Sequence, residues 1–245
     1  MKLGSNTVLV SGGASGIGLA LVARFLEAGS RVIVCGRRES KLAEVQQRYP
    51  AVDVRAVELT RPEERVALRD WAIAAYPELN VIVNNAGIQR RLSLADDEPW
   101  EATREEIAIN IEAPIHMCRL FAAHLLKQPR AAIVNVGSGL AFAPLAAAPI
   151  YCATKAALHS FTLSLRHQLR GTAIEVIEIV PPAVNTDLGG PGLHTFGTDV
   201  NEFADAVMAR IEAGETEVGF GYSEGSRRAS RDELDAIFAR MNARP

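Results

Sequence analysis

TVLVSGGASGIGLALVARFLEAG, Thr7–Gly29, begins as an apolar run of strand length, passes through a glycine cluster and enters a helical pattern at Leu19. Gly12, Gly16 and Gly18 are spaced Gly-x3-Gly-x-Gly. At a strand-to-helix junction, Gly12 permits a tight turn and Gly16 lets the backbone approach a pyrophosphate. Gly18 lets the helix pack closely on the strand. The first turn of such a helix has N–H groups without intrahelical partners, and its dipole favours phosphate charge. A plain turn is the bland alternative, and it needs no such spacing.

Outward from that junction, apolar runs at Thr7–Ser11, Arg31–Cys35, Val52–Glu58, Val81–Asn84, Ala131–Val136 and Ile174–Val180 alternate with helical segments. The helical candidates are Gly16–Ala28, Glu39–Arg48, Pro62–Ala75, Glu101–Leu126, Tyr151–Leu169, Val200–Ala213 and Asp232–Asn242. Alternation of this kind predicts an α/β protein: one Rossmann-type doubly wound parallel sheet with helices on both faces. Gly29, Pro62 and Pro181-Pro182 punctuate the boundaries. No linker divides the chain, so residues 1–245 read as one domain. Leu188–Thr198 and Gly221–Arg231 read as loosely determined, the first as a substrate loop near 188–200.

Composition narrows the partners. Of the 245 residues 48% are hydrophobic and 22% charged, with a formal net charge of -3, which is ordinary for a globular chain and leaves no basic footprint for nucleic acid or an anionic membrane. A small molecule is the expected partner. Cys35, Cys118 and Cys152 lack disulfide or metal spacing and read as reduced, buried thiols. Met1 to Ser5 leads straight into the first strand, and Thr7–Val10 is too short for a signal or membrane segment, so a cytoplasmic protein is expected.

After the second strand comes Gly36-Arg37-Arg38, where a protein preferring NAD places a carboxylate on the ribose hydroxyls. Here two guanidinium groups stand instead. Arg37 can bind a 2′-phosphate and stack on adenine, which points to NADP(H). Arg38 reads first as a solvated helix start and second as a further contact.

Tyr151-Cys152-Ala153-Thr154-Lys155 opens a helix, and its i, i+4 spacing sets phenol and ammonium on one face. Chance gives roughly 0.07 such pairs in a chain of this make-up, so spacing alone is suggestive and its company decides. An ordinary phenol is a poor base at neutrality. A neighbouring ammonium and a positive nicotinamide favour the phenolate, bringing Tyr151 toward use as general acid or base. Ser138, in Val136-Gly137-Ser138-Gly139 at a strand end, can hold a substrate oxygen beside it.

These motifs, in this order, resemble the short-chain dehydrogenase/reductase family over essentially the whole chain: Ser11–Gly18, Asn84-Asn85-Ala86-Gly87, Asn110 in Ile107–Ile111, Ser138, and Tyr151-x3-Lys155. The resemblance implies a catalytic set of Asn110, Ser138, Tyr151 and Lys155. Asn110 would hold a water linking Lys155 to solvent, and Lys155 would also bind the nicotinamide ribose. It implies cofactor contacts at Gly12, Ser15, Gly16, Ile17, Gly18, Arg37 and Arg38, at Leu59 near adenine, and at Asn85, Ala86 and Gly87 along the adenosine ribose. Pro181-Pro182-Ala183-Val184-Asn185-Thr186-Asp187 resembles the segment covering the carboxamide, with Val184 and Thr186 in contact. With Ala86–Arg91, it is similar to the subgroup associated with the teichoic-acid D-alanylation operon. Ser11 for Thr is a mild departure. Pro182 stands where Gly is usual, and Glu58 replaces an Asp that would reach adenine N6 better.

Together these readings lead to an NADP(H)-dependent oxidoreductase interconverting a ketone or aldehyde with an alcohol. A non-catalytic NADP(H)-binding redox sensor is the contrasting reading, but it has no need for the Asn110, Ser138, Tyr151 and Lys155 set. Leu140 to Leu145 would give the cleft an apolar wall. Gln89, Arg90 and Arg91 read as an exposed basic turn or a contact for a polar substrate. The five histidines show no metal spacing, so no metal is expected and ordinary surface or helix roles are favoured. His194, between Leu193 and Phe196, reads equally as substrate cover or solvated loop. Ile111, Ile115, Leu120, Leu158, Phe161 and Leu165 spread over more than one helix face, and by resemblance this implies a dimer or tetramer.

Overall fold

A computed structural model describes residues 1–93, 95 and 99–243. Seven parallel strands form one sheet: β1 (Thr7–Ser11), β2 (Arg31–Gly36), β3 (Asp53–Ala56), β4 (Val81–Asn84), β5 (Ala131–Val136), β6 (Ile174–Val180) and β7 (Glu217–Gly219). Their order is β3-β2-β1-β4-β5-β6-β7. The order reverses between β1 and β4, and a ligand crevice opens beyond the carboxyl ends of strands at such a point. β1, β4 and β5 are buried along their whole length, as strands covered on both faces must be, and they read as continuous apolar runs for that reason.

The helices are α1 (Gly16–Glu27), α2 (Glu39–Arg48), α3 (Pro62–Ala75), α4 (Trp100–Ile107), α5 (Ala113–Leu125), α6 (Pro149–Gln168), α7 (Val200–Glu212), α8 (Tyr222–Arg228) and α9 (Arg231–Met241). One core layer packs Leu21, Phe25, Phe203 and Val207 of α1 and α7 against Val8, Val10, Val134 and Ile177. The other packs Leu68, Met117 and Phe121 of α3 and α5 against Leu9, Ile33, Ile82 and Ile133. The alternation of strand residues between these layers fixes which side chains face which helix. All three cysteines are buried and unbridged. Among the described residues no helix is long and apolar enough to cross a membrane.

Three expectations need correction. The expected single helix Glu101–Leu126 is broken by a π-helical turn at Ala108–Glu112. Pro114 has no N–H to give Asn110 in the α pattern, and the chain adopts a wider turn there. The strand expected at Val52–Glu58 is only Asp53–Ala56, because at the sheet edge it pairs with β2 alone. Gly221–Arg231 is not loose, since α8 occupies most of it; its serines and Gly225 hide a helical signal that tertiary contacts supply. Ser223 is buried and donates to the Val180 carbonyl, while Arg227 binds Glu224 at 2.7 Å. The three-residue β7 is too short to show a period.

Candidate active site

The loops leaving β1, β4, β5 and β6 border a continuous cleft of about 1620 Å³. It contains the glycine junction at one end and Ser138, Tyr151 and Lys155 at the other. At the glycine end, Gly12 has φ +65°, and a Cβ there would lie 2.8 Å from the Ala86 Cα. A Cβ on Gly18 would stand 2.4 Å from both the Gly12 carbonyl oxygen and Asn85 Nδ2. Asn85 Nδ2 donates to the carbonyls of Ser11 (3.0 Å) and Gly12 (3.1 Å), lacing the β4 loop to the glycine turn. Ser11 Oγ accepts from the backbone N–H groups of Asn85 and Ala86 and donates to the Val83 carbonyl, so its hydroxyl serves the β1–β4 junction.

Ser15 is the N-cap of α1, yet its side chain caps no backbone N–H. Its hydroxyl instead accepts from Arg38 Nη2 at 2.9 Å. The first-turn N–H groups of α1 thus receive no cap from Ser15, an arrangement suited to an anion, and Ile17 and Thr186 flank them in the cleft lining. The arginines differ from the simplest expectation. Arg38, read first as solvated, turns back to the glycine loop, whereas Arg37, half exposed, donates to Glu105 of α4 at 2.7 Å. Glu105 also pairs with Arg90, and the two arginines, Arg90 first, hold its carboxyl below the ordinary range. Glu58 Oε1 is taken by the Thr60 N–H and hydroxyl (3.0 and 2.9 Å). Leu59 and Val184 are buried and border the cleft. Glycines without room for a Cβ, an uncapped helix start and two guanidinium groups are a donor set suited to a dinucleotide phosphate.

At the other end, Pro149 at N1 starts α6, which sets Tyr151 and Lys155 one turn apart and buried. The Lys155 ammonium lies 5.6 Å from the Tyr151 ring centroid and donates to the Val136 carbonyl at 2.7 Å. Burial lowers the Lys155 pKa to about 8. Burial also raises the Tyr151 phenol above its ordinary value, against the pull of the Ser138 hydroxyl. Within the protein alone the phenol is thus moved away from the working range, contrary to the expectation from Lys155. A positive nicotinamide would act in the opposite direction. Asn110 Oδ1 accepts from Ile88 N–H (2.9 Å), and its Nδ2 donates to the Ile88 carbonyl (2.8 Å) and Thr154 Oγ1 (3.2 Å). The π turn thereby ties the β4 loop to α6. Gly87 borders both Asn110 and Lys155, since a Cβ there would stand 3.4 Å from Asn110 Oδ1 and 3.7 Å from Lys155 Nζ.

Several residues of the site had no motif to announce them. Glu106 of α4 is buried, its carboxyl raised by burial, and it accepts from Arg90 N–H at 3.3 Å. Arg90 is not a free basic turn, because Nη1 donates to the Ala102 carbonyl at 2.7 Å. The segment Pro144–Ala146 is held by Asn242, which donates to the Pro144 carbonyl (3.0 Å) and accepts from Ala146 N–H (2.7 Å). Tyr222 and Met241 from α8 and α9 consequently join the apolar wall. His194, Leu193 and Phe196 also border the cleft, with His194 Nδ1 buried and without a hydrogen-bond partner among the described residues. His159 is no ordinary helix histidine: its Nδ1 lies 2.8 Å from the buried Glu178 carboxylate. His159, Glu178 and Glu217 form the one grouping of metal-type side chains found among the described residues. Glu217, however, is engaged by Arg166 and Arg227, and His159 by Glu178.

The family model described as short chain dehydrogenase matches residues 6–193. The chain is 47% identical to the uncharacterized oxidoreductase DltE of Bacillus subtilis (strain 168), over 99% of this chain and 98% of that protein. A short chain dehydrogenase from Burkholderia cenocepacia J2315 in complex with NADP has a similar structure, with TM-score 0.85, 28% identity and all of both chains covered. A short-chain dehydrogenase from Sphingobium yanoikuyae in complex with NADPH gives TM-score 0.80 and 25% identity, over 95% of this chain and 92% of that one.

Proposed function

The chain belongs to the short-chain dehydrogenase family of oxidoreductases, and from that premise we propose that it uses NADPH to reduce a ketone or aldehyde to an alcohol. The observation that carries this reading is the convergence of Ser138, Tyr151 and Lys155 at one end of the cleft whose other end is the glycine junction. NADPH, when bound, supplies the hydride. The uncapped start of α1, with Gly12, Ser15, Gly16, Ile17 and Gly18, would hold the pyrophosphate. Asn85, Ala86, Gly87 and Leu59 would border the adenosine, and Val184 and Thr186 the carboxamide. Ser138 orients the carbonyl oxygen and Tyr151 gives it a proton. The phenol, raised by burial, is protonated at neutrality and so has a proton to give. Lys155 binds the nicotinamide ribose and, through water at Asn110, returns a proton to Tyr151. Nothing favours a purely sensory role, for which this set has no use.

The substrate is a medium-sized carbonyl compound, in keeping with the apolar wall of Leu140, Leu145, Tyr222 and Met241. A cytoplasmic setting accords with three unbridged thiols. Pairing of α5 and α6 with a second copy, where Leu163 is exposed, would give a dimer or tetramer, which light scattering would reveal.

The test follows NADPH oxidation over a panel of ketones, aldehydes and imines, with wild type and Arg37→Ala in parallel. Wild type is expected to prefer NADPH to NADH. Arg37→Ala is expected to weaken NADPH binding about 10- to 100-fold, the worth of a charge-assisted bond of roughly 1.5–3 kcal/mol, while NADH is little affected. Equal use of both cofactors by wild type would reject the NADP assignment. No turnover on any carbonyl would reject the reaction.

A further inference from the structure

Strand β6 is buried except at Glu175, and a carboxylate inside such a strand must be paired. Glu178 is that carboxylate. It lies fully buried in register with Asn135 of β5, on the face that meets α6. Its Oε2 is 2.8 Å from His159 Nδ1, and its Oε1 has no hydrogen-bond partner among the described residues. A Cβ on Gly137 would stand 2.6 Å from that oxygen, so the carboxylate occupies the space a side chain at 137 would need. The residue before it, Val136, gives its carbonyl to Lys155 Nζ. His159 follows Lys155 by one turn of the same helix.

This pair belongs to a polar seam along the sheet-facing side of α6. Lys155, His159, Thr162 and Arg166 recur at spacings of a helical face, and each meets a polar partner on the sheet: the Val136 carbonyl, Glu178, Asn135 and the Val176 carbonyl. Apolar side chains would fill the same positions without desolvating charge. A buried carboxylate kept there, next to the strand end that binds Lys155, calls for a purpose beyond stability.

We propose that Glu178, held by His159, is a positioning residue for Lys155: its buried negative charge keeps the Lys155 ammonium protonated and oriented on the Val136 carbonyl. The role rests on the reading of Lys155 as part of the active site. Burial lowers the Lys155 pKa, Glu178 opposes that fall, and loss of the Glu178 charge therefore lowers it further. The bond to Glu178 raises the His159 pKa in turn, against burial. The other charged groups facing the pair are Arg166 on α6, Glu217 on β7 and, beyond Glu217, Arg227 on α8. With His159 protonated the pair is neutral overall. Once His159 has lost its proton, the full charge of Glu178 faces Lys155.

The chain contains only Lys2, Lys41, Lys127 and Lys155, so protein labelled with 13C at lysine Cε gives four signals, and Lys155→Arg identifies the one of interest. In Glu178→Gln the Lys155 titration midpoint is expected to fall by about one pH unit or more, roughly tenfold in its dissociation constant, and the alkaline limb of turnover to move with it. A folded Glu178→Gln protein with the Lys155 midpoint unmoved to within about 0.2 unit would overturn the proposal. Wild type provides a check that does not require the variant to fold: the Lys155 signal should show a smaller inflection at the His159 midpoint, which His159→Gln removes. Absence of that inflection in wild type, or its persistence in His159→Gln, would equally overturn the proposal. If the Lys155 midpoint shifts but no carbonyl compound is turned over, the counter-charge stands and only the catalytic reading fails.

Discussion

Tyr151→Phe is expected to lower turnover by about 10²–10⁴-fold, the contribution of a positioned general acid, while NADPH affinity changes by no more than about twofold. The ring remains in its buried place beside Lys155, and only the hydroxyl and its exchangeable proton are lost. The wild-type phenol is protonated at neutral pH, and the substitution would remove the proposed proton donor from every molecule. Binding measured by fluorescence of the reduced nicotinamide, together with turnover on whichever carbonyl the panel identifies, separates the two quantities. A Tyr151→Phe protein that turns over at near wild-type rate would remove Tyr151 from the proton-transfer step.

Gly18→Ala should damage both fold and cofactor site. The added Cβ would stand 2.4 Å from the Gly12 carbonyl oxygen, which is backbone, and 2.4 Å from Asn85 Nδ2, which is bonded to the same turn. Neither can yield without moving α1 off β1 or opening the glycine turn. Overpacking of this kind costs about 1–3 kcal/mol, and in a chain of this size each kcal/mol lowers Tm by roughly 2–4 °C. Cofactor affinity should fall by more than about tenfold, since the displaced turn is the one proposed to hold the pyrophosphate. Gly225→Ala is the control: no atom of the described residues lies within 4 Å of its Cβ position, and alanine in α8 should be neutral or stabilising. Equal melting and equal cofactor affinity of the Gly18→Ala and wild-type proteins would show that the junction tolerates a side chain.

The glycine junction was legible in sequence because its demands are local. A turn with positive φ at Gly12, a close approach at Gly18 and a helix starting at Gly16 all lie within one short stretch of chain. Tyr151 and Lys155 were legible for the same reason, since one helical turn relates them. The arginines were only half legible. Two basic residues after β2 announced an anion, but the partner that turns Arg37 aside, Glu105, is 68 residues away. Likewise, Pro114 lies in plain view, yet the π turn it accompanies is stabilised by Asn110 reaching Ile88 and Thr154.

By itself, the sequence determined the doubly wound parallel sheet, the glycine junction at the start of α1 and the pairing of phenol with ammonium, because strand and helix periods and the steric demands of glycine act over a few residues. Only the tertiary structure decided what surrounds them. It seated Glu178 under α6 against Gly137, bound Asn242 to Pro144 and Ala146 so that α8 and α9 wall the cleft, and folded the serine-rich α8 around a buried Ser223. Those partners come from strands and helices far apart in the chain. Their polar groups are satisfied only when the layers close, and no local pattern records which of them will meet.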